Sequence, residues 1–387
     1  MNITEILRRS GKARIFFEGI AVTFSELSEA IVARKEISPS VVKWSGHWTP
    51  ETLQELFTAF SLNVPILVSS SNEIDALPPI NAGEIAFRSS GTEGNIKWAI
   101  HPYKHFLEGD YLSFKGPAFA FLSPSHAAGF DFLFNCLRGG IDFGFTDLKT
   151  LKVPEVRTLF GPPQAMAALL FFYKSHESLF DQLEEYYVSS DPVPKVLVEK
   201  SKKLDLAFKF KIFYGSSETM VIKVQEHPDF PHLFRFVHGE ANVKNGQVFY
   251  KGPTLATKFW TEENGFTSPL VPYPLGDMVQ EEEGWLSLQQ NSRNLIKIWG
   301  HSLNIKMLED NILALEGLID TRVELINTEI LGSQLRIHIW SEVNFDEKRI
   351  LSLPLLENIK SLCSIEHHSA DEINIHKKKR NLHGKKN

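Results

Sequence analysis

The chain has 387 residues, of which 41 are basic and 47 acidic, giving a formal net charge of −6. That length supports a large core and two or three domains, and the mildly acidic balance lacks the basic footprint of a nucleic-acid binder. Cys136 and Cys363 stand far apart in apolar contexts, so no disulfide framework is expected and a reducing compartment, the cytoplasm, fits best. The N-terminus shows no apolar leader and no stretch is long enough for a membrane span.

In chain order, residues 13–18 read as a strand, and Thr23-Phe24-Ser25-Glu26 as a capping box that opens a helix. Val41 to Trp44 reads as a strand. Thr49-Pro50-Glu51 is an N-cap with proline at the first helical position, leading into a helix over Leu53 to Phe60. Val64 to Val68 and Glu84 to Phe87 are short apolar strands, and the segment after Ser89–Lys97 is expected to be helical. Ala118 to Leu122, Thr158 to Phe160, Tyr186 to Val188 and Phe208 to Tyr214 read as strands with helices between them, Phe130 to Leu137 among these. Such alternation predicts α/β layers around a mainly parallel sheet.

From Phe234 the texture changes to short strands and turns, a β-rich subdomain that includes Gln247–Tyr250 and Trp285–Leu288. From about Arg293 a small α+β domain is expected. Its strands are Leu295–Trp299, Arg322–Ile326, Leu335–Trp340 and Ile373–Ile375, and its helices Lys306–Leu315 and Asp346–Leu362. The predicted division is a large domain over 1–290 and a small, mobile domain over 291–387. The 29 phenylalanines are read as core filling, and the basic run His376–Arg380 as a solvated end.

Ser89-Ser90-Gly91-Thr92-Glu93-Gly94-Asn95-Ile96-Lys97 is the segment with the strongest chemical content. Small residues let backbone N–H groups approach an anion, hydroxyls add donors, and the lysine adds charge. The spacing differs from the common P-loop, which places Gly-Lys-Ser/Thr after a glycine and four residues. That argues against an ordinary kinase or GTPase.

Further segments follow in a fixed order: Tyr214-Gly215-Ser216-Ser217-Glu218, Leu275-Gly276-Asp277, Ile296-Lys297-Ile298-Trp299-Gly300 and Gly384-Lys385. With the Ser89–Lys97 loop, this set resembles the AMP-forming acyl-CoA synthetase (adenylate-forming) superfamily over most of the chain. The resemblance implies that Ser89, Ser90, Gly91, Thr92, Gly94 and Lys97 wrap the β- and γ-phosphates of ATP. It also implies that Glu218 holds Mg²⁺, which takes oxygen ligands and bridges phosphates. Ser217 would donate to the α-phosphate, Tyr214 and Gly215 would pack at adenine, and Asp277, its carboxylate unoccupied, would accept from both ribose hydroxyls. Ser189, in Ser189-Ser190-Asp191-Pro192, matches a small-residue turn beside adenine. His126, in Pro124-Ser125-His126-Ala127-Ala128-Gly129, would border the carboxylate pocket, and Gly161-Pro162-Pro163 would line the acyl site. Lys385 would bridge the carboxylate and the α-phosphate, where charge builds during activation. Gly300 would line the tunnel for the thiol.

The sequence also departs from the family. Glu93 stands where threonine is usual, Ile96 where proline is usual, and Leu275 replaces the threonine of Thr-Gly-Asp. At the domain junction either Asn291 replaces the ribose-binding arginine, or a two-residue deletion gives that role to Arg293. Only about ninety residues precede the phosphate loop, fewer than in most members. An abbreviated scaffold is compatible with a small carboxylic acid, or with a homodimer that covers the exposed face.

The expected activity is an AMP-forming acid–thiol ligase that uses ATP, Mg²⁺ and coenzyme A. By size it is similar to the o-succinylbenzoate–CoA ligases of menaquinone synthesis. Two alternatives stay open. One keeps adenylation but loads a phosphopantetheine carrier protein; the other is a degenerate, non-catalytic relative that only binds.

Overall fold

The computed structural model describes residues 2–18, 20–34, 40–69, 77–90, 96–108, 112–147, 155–171, 173, 176–189, 193, 195–237, 240–289, 295–298, 301–328, 332–341, 345–357 and 359–369. The chain divides into two compact units, one of Met1–Gly91 and Asn95–Gln289 and one that holds Gln290–Asn387. No described helix is long and apolar enough to cross a membrane.

An eight-stranded sheet organises the larger unit. Its order is Met220–Ile222, Lys209–Ser216, Glu185–Ser189, Thr158–Gly161, Ala118–Ala120, Phe143–Phe145, Arg14–Phe17, Ile20–Thr23. The five inner pairings are parallel and the two outer ones are antiparallel hairpins. A second, six-stranded sheet runs Gly265–Thr267, Lys258–Thr261, Ile96–Pro102, Glu84–Ser90, Ile66–Val68, Val42–Trp44.

The helix Ala127–Gly139 joins the cores of both sheets, and every residue from Gly129 to Leu137 is buried. A helix apolar on all sides must be packed on all sides. Phe132 lies 5.0 Å, centroid to centroid, from Phe160 of the first sheet, and Phe130 lies 5.2 Å from Phe87 of the second. The phenylalanines therefore weld two sheets into one core. Both predicted caps form. Thr23 accepts from the Glu26 N–H while Glu26 accepts from the Thr23 N–H, and Thr49 with Thr52 does the same ahead of Pro50.

A third, antiparallel sheet of six strands makes the β-rich region: Val224–Glu226, Phe234–Phe236, Trp285–Gln289, Tyr273–Glu282, Gln247–Tyr250, Ala241–Lys244. In the smaller unit the hairpin Leu295–Ile298/His301–Asn304 leads into the helix Ile305–Leu313. The strands Leu318–Thr328 and Gly332–Ser341 pair antiparallel, and Cys363–Ser369 adds in parallel to the second. Ile337, Ile339, Leu308 and Ile350 are among the fully buried residues of its core.

Three expectations need correction or fall outside these residues. The segment after the phosphate loop is a strand, Ile96–Pro102, not a helix. Ile96, Trp98 and Ile100 recur at every second position, a β-branched and aromatic pattern suited to an extended chain, and strands on both sides satisfy its backbone. The helix expected over Asp346–Leu362 stops at Leu351 and gives way to 3-10 turns at Pro354–Leu356 and Lys360–Leu362. Pro354 removes an N–H and holds Leu353 extended, at φ −60° and ψ 133°. The following strand is Cys363–Ser369; the one expected at Ile373–Ile375 lies outside the described residues.

Candidate active site

Ser89 pairs with Lys97 and Ser90 with Ile96, so residues 91–95 connect the two strands of an antiparallel hairpin. Extended geometry puts Lys97, Ala99 and His101 on one face of the strand. The Lys97 ammonium lies 2.8 Å from Glu218 Oε1 and donates to the Tyr273 hydroxyl at 2.9 Å. It also sits 4.4 Å from the centroid of the Phe259 ring, a cation–π contact.

Glu218 occupies the turn between Lys209–Ser216 and Met220–Ile222, which pair as a hairpin with Ser216 opposite Met220. Several side chains tie this turn. The Glu218 N–H donates to Ser216 Oγ at 3.2 Å, Ser217 Oγ donates to Glu218 Oε2 at 3.0 Å, and the Ala256 N–H donates to the Glu218 carbonyl at 2.7 Å. Gly215 has a steric reason to be glycine: a Cβ there would lie 2.2 Å from the Met220 carbonyl oxygen.

His101 is fully buried, and its Nε2 lies 2.8 Å from the Ser217 carbonyl oxygen. A carbonyl can only accept, so Nε2 carries the proton. Nδ1 is then the acceptor for His105 Nδ1, 3.2 Å away. Sequence reasoning missed His101, Tyr273 and Phe259. Reading Ile96 and Lys97 as loop and the segment after them as helix hid the alternation that aligns His101 with Lys97; a strand reading would have exposed it.

The electrostatics follow from burial and partners. Burial disfavours the Glu218 carboxylate, but the Lys97 charge and the hydrogen bonds from Lys97, Ser216 and Ser217 outweigh it and hold its pKa below the ordinary value. Burial likewise disfavours the Lys97 ammonium, and attraction to Glu218 with the hydrogen bonds it donates to Glu218 and Tyr273 outweighs that and raises its pKa. Burial pushes His101 down to about 3, against the Ser217 hydrogen bond, so the ring is neutral at physiological pH. His105 is pushed down to about 4 by burial and by Lys104.

Tyr214 is the next-to-last but one residue before that turn, on the strand Lys209–Ser216. It packs against Phe234 and Phe236, and its hydroxyl donates to Asp277 Oδ2 at 2.9 Å. Asp277 is 9% exposed. Gly276, at φ +78°, turns the chain so that Leu275–Asp277 bulge between the pairs Phe249–Pro274 and Gln247–Met278. The Asp277 carboxylate is thus not unoccupied, as the sequence suggested: one oxygen already holds Tyr214.

Ser189 ends the strand Glu185–Ser189, is buried and pairs with Phe213. Gly161 ends the neighbouring strand, opposite Val188. His126 is the half-buried N-cap residue of Ala127–Gly139, and its N–H donates to the Ser123 carbonyl at 3.0 Å. Gly161, Ser189, Tyr214 and the Pro124–His126 loop all sit at or beyond the carboxyl ends of parallel strands, where open α/β sheets bind ligands. Gly91, Thr92, Gly94, Asn291, Arg293, Gly300 and Lys385 lie outside the described residues, as do the side chains of Ser89 and Ser90.

The sequence matches no protein-family model and no curated protein. Solved structures do match. o-Succinylbenzoate CoA synthetase (MenE) from Bacillus subtilis, bound with a product analogue, is 15% identical at a TM-score of 0.64, over 95% of this chain and 94% of that one. The amide bond synthetase McbA from Marinactinospora thermotolerans is 12% identical at 0.67, over 95% and 96%. An NRPS protein containing adenylation and PCP domains is 13% identical at 0.66, over 98% and 97%. At such identities the likeness is one of architecture, and along nearly its whole length this chain has the fold of the adenylate-forming enzymes.

Proposed function

We propose that the chain is an AMP-forming acid–thiol ligase. It activates a small carboxylic acid with ATP, releasing pyrophosphate, and passes the acyl group from the adenylate to coenzyme A. The observation that carries this reading is the meeting of distant motifs on one strand and its turn. Lys97 reaches Glu218, Asp277 reaches Tyr214, and Ser189 flanks the same strand.

Each residue then has a task. The leaving pyrophosphate carries concentrated negative charge, and Lys97 with the donors of residues 89–94 grips it. Lys97 rests on Glu218 until a polyphosphate competes for its ammonium. Glu218 is ionised at neutral pH and offers carboxylate oxygen, the donor type Mg²⁺ takes, so the residues present fit that ion. When bound, Mg²⁺ supplies charge neutralisation on the phosphate oxygens. Asp277 accepts from a ribose hydroxyl, and the Tyr214 hydroxyl on Oδ2 fixes its orientation. Lys385 neutralises the charge that builds as the carboxylate attacks the α-phosphate, and the Gly300 segment lines the thiol path.

The test is acid-dependent ATP–pyrophosphate exchange over aryl, fatty and amino acids, o-succinylbenzoate included. It is followed by acyl transfer to coenzyme A and to a phosphopantetheine carrier protein. Exchange with one acid and transfer to coenzyme A support the proposal. Exchange followed by transfer only to the carrier moves the chain to the carrier-loading reading, and no exchange with any acid moves it to a non-catalytic binder. Lys385→Ala should abolish adenylate formation yet spare transfer from a supplied acyl-adenylate; equal loss of both steps removes its assigned role.

A further inference from the structure

The three-stranded sheet of the smaller unit has two unlike faces. Ile337, Ile339 and Val323 point into the core. Alternation therefore turns Arg336, His338 and Trp340 to the opposite face, with Glu324 from one neighbouring strand and Glu366 and His368 from the other. His338 stands directly across from Glu366 in parallel register, and His368 is its diagonal neighbour.

These three side chains converge. His338 Nδ1 lies 2.9 Å from His368 Nε2 and 3.3 Å from Glu366 Oε2. One ligand atom from each falls within 4.8 Å of the others. Tetrahedral zinc with nitrogen and oxygen ligands about 2.0–2.2 Å away has ligand–ligand separations of roughly 3.4 Å. The His338–Glu366 distance of 3.3 Å already fits that spacing, and the two rings, 2.9 Å apart, reach it by parting about half an ångström.

The surroundings orient the ligands as metal sites require. Glu324 Oε2 is 3.4 Å from His338 Nε2, which is buried and otherwise has no hydrogen-bond partner among the described residues. A metal on Nδ1 would fix the proton on Nε2 and draw that contact into a carboxylate–histidine pair. Arg336 Nε lies 2.9 Å from Glu366 Oε1, an ion pair whose angle falls short of a hydrogen bond, and it leaves Oε2 facing His338. Trp340 stacks on the His368 ring at 4.8 Å and 20°.

We propose that His338, Glu366 and His368 form a site for a borderline divalent metal of the zinc class, pinning the strand Cys363–Ser369 to its neighbour. Two imidazoles and one carboxylate suit zinc and exclude magnesium or calcium, which take all-oxygen shells. A three-ligand set leaves a fourth position for water.

The test uses the full chain without a histidine tag, stripped with chelator and titrated with Zn²⁺ and, separately, Co²⁺. One equivalent of zinc should bind, the cobalt form should show the intense visible band of a tetrahedral centre, and zinc should raise the melting temperature. His338→Ala and His368→Ala should each weaken binding by more than about 100-fold, and Glu324→Gln by about tenfold. The near-isosteric Glu366→Gln serves if an alanine variant fails to fold. His367→Ala, exposed and bonded to Glu347 instead, should leave binding unchanged. Absence of stoichiometric zinc, or zinc binding unaltered in the His338 and His368 variants or in Glu366→Gln, would overturn the site.

Discussion

Two carboxylates clamp the same hairpin from different positions, and under the same burial they end with opposite pKa shifts. Glu218 sits in the turn, beside Lys97. Asp131, on the central helix, accepts from the Val221 N–H at 2.6 Å on the strand that follows. Burial pushes Asp131 up to about 7, with the Val221 bond, Arg138 and Asn135 opposing it. Glu218 meets the same desolvation and ends below its ordinary value, because it has a lysine at contact distance. A nearby cation, more than any hydrogen bond, separates a buried carboxylate that stays charged from one that is held protonated.

The largest effects should come from pH. His101 is neutral in the folded chain down to about 3, against an ordinary 6.5. Its stability contribution is therefore complete above about 6.5 and lost as pH falls towards 3, roughly 5 kcal/mol at the end of that window. His101→Gln keeps a donor for the Ser217 carbonyl and removes the titration. Urea unfolding midpoints measured from pH 7 to 4 should fall less steeply in the variant, and an unchanged slope would refute the buried neutral ring.

Asp131 acts with the opposite sign. Its folded pKa is raised, so its protonated form stabilises the fold below about 4, and that contribution is lost as pH rises to 7, about 4 kcal/mol in all. Between pH 4 and 6.5 the two groups oppose each other, and the wild-type profile hides both. Asp131→Asn keeps an acceptor for Val221 and should make the acid loss steeper. A profile identical to wild type would show that Asp131 is ionised in the fold.

Lys97→Met would put Glu218 in the situation of Asp131. Loss of one partner of a desolvated pair costs about 3 kcal/mol here, at the low end for buried pairs because the side chains remain 21% and 15% exposed. Pyrophosphate exchange should drop about 100-fold or more. If stability and exchange both held, the serine hydroxyls would be the true support of Glu218.

Much of this was legible in the residues. Caps at Thr23 and Thr49 are local chemistry, and the motifs around Lys97 and Glu218, picked out far apart in the chain, meet in an ion pair at 2.8 Å. What sequence could not give is pairing across space. Residues 96–102 become a strand because neighbours on both sides complete their hydrogen bonds. Only then do Lys97 and His101 share a face and meet one turn. The zinc-class trio was invisible for a related reason: His338 and Glu366 are adjacent only through parallel register. The helix expected over 346–362 failed at Pro354, a signal that was present but outweighed by apolar spacing.

Ser217→Ala should have the smallest effect, and it sharpens the comparison most cleanly. It deletes the hydroxyl that donates to Glu218 Oε2 at 3.0 Å and leaves Lys97 on Oε1. A single hydrogen bond to a partly wetted carboxylate contributes about 1 kcal/mol. Ser217 is also the last of the influences that lower the Glu218 pKa, behind Lys97 and Ser216. The depressed pKa of Glu218 gives stability that is present above its unfolded value and lost as pH falls through its folded value. The variant should therefore unfold at a slightly lower urea concentration near neutrality and converge with wild type in acid, where Glu218 is protonated in both. A loss as large as that of Lys97→Met would mean that hydrogen bonds, not the ammonium, keep this carboxylate charged.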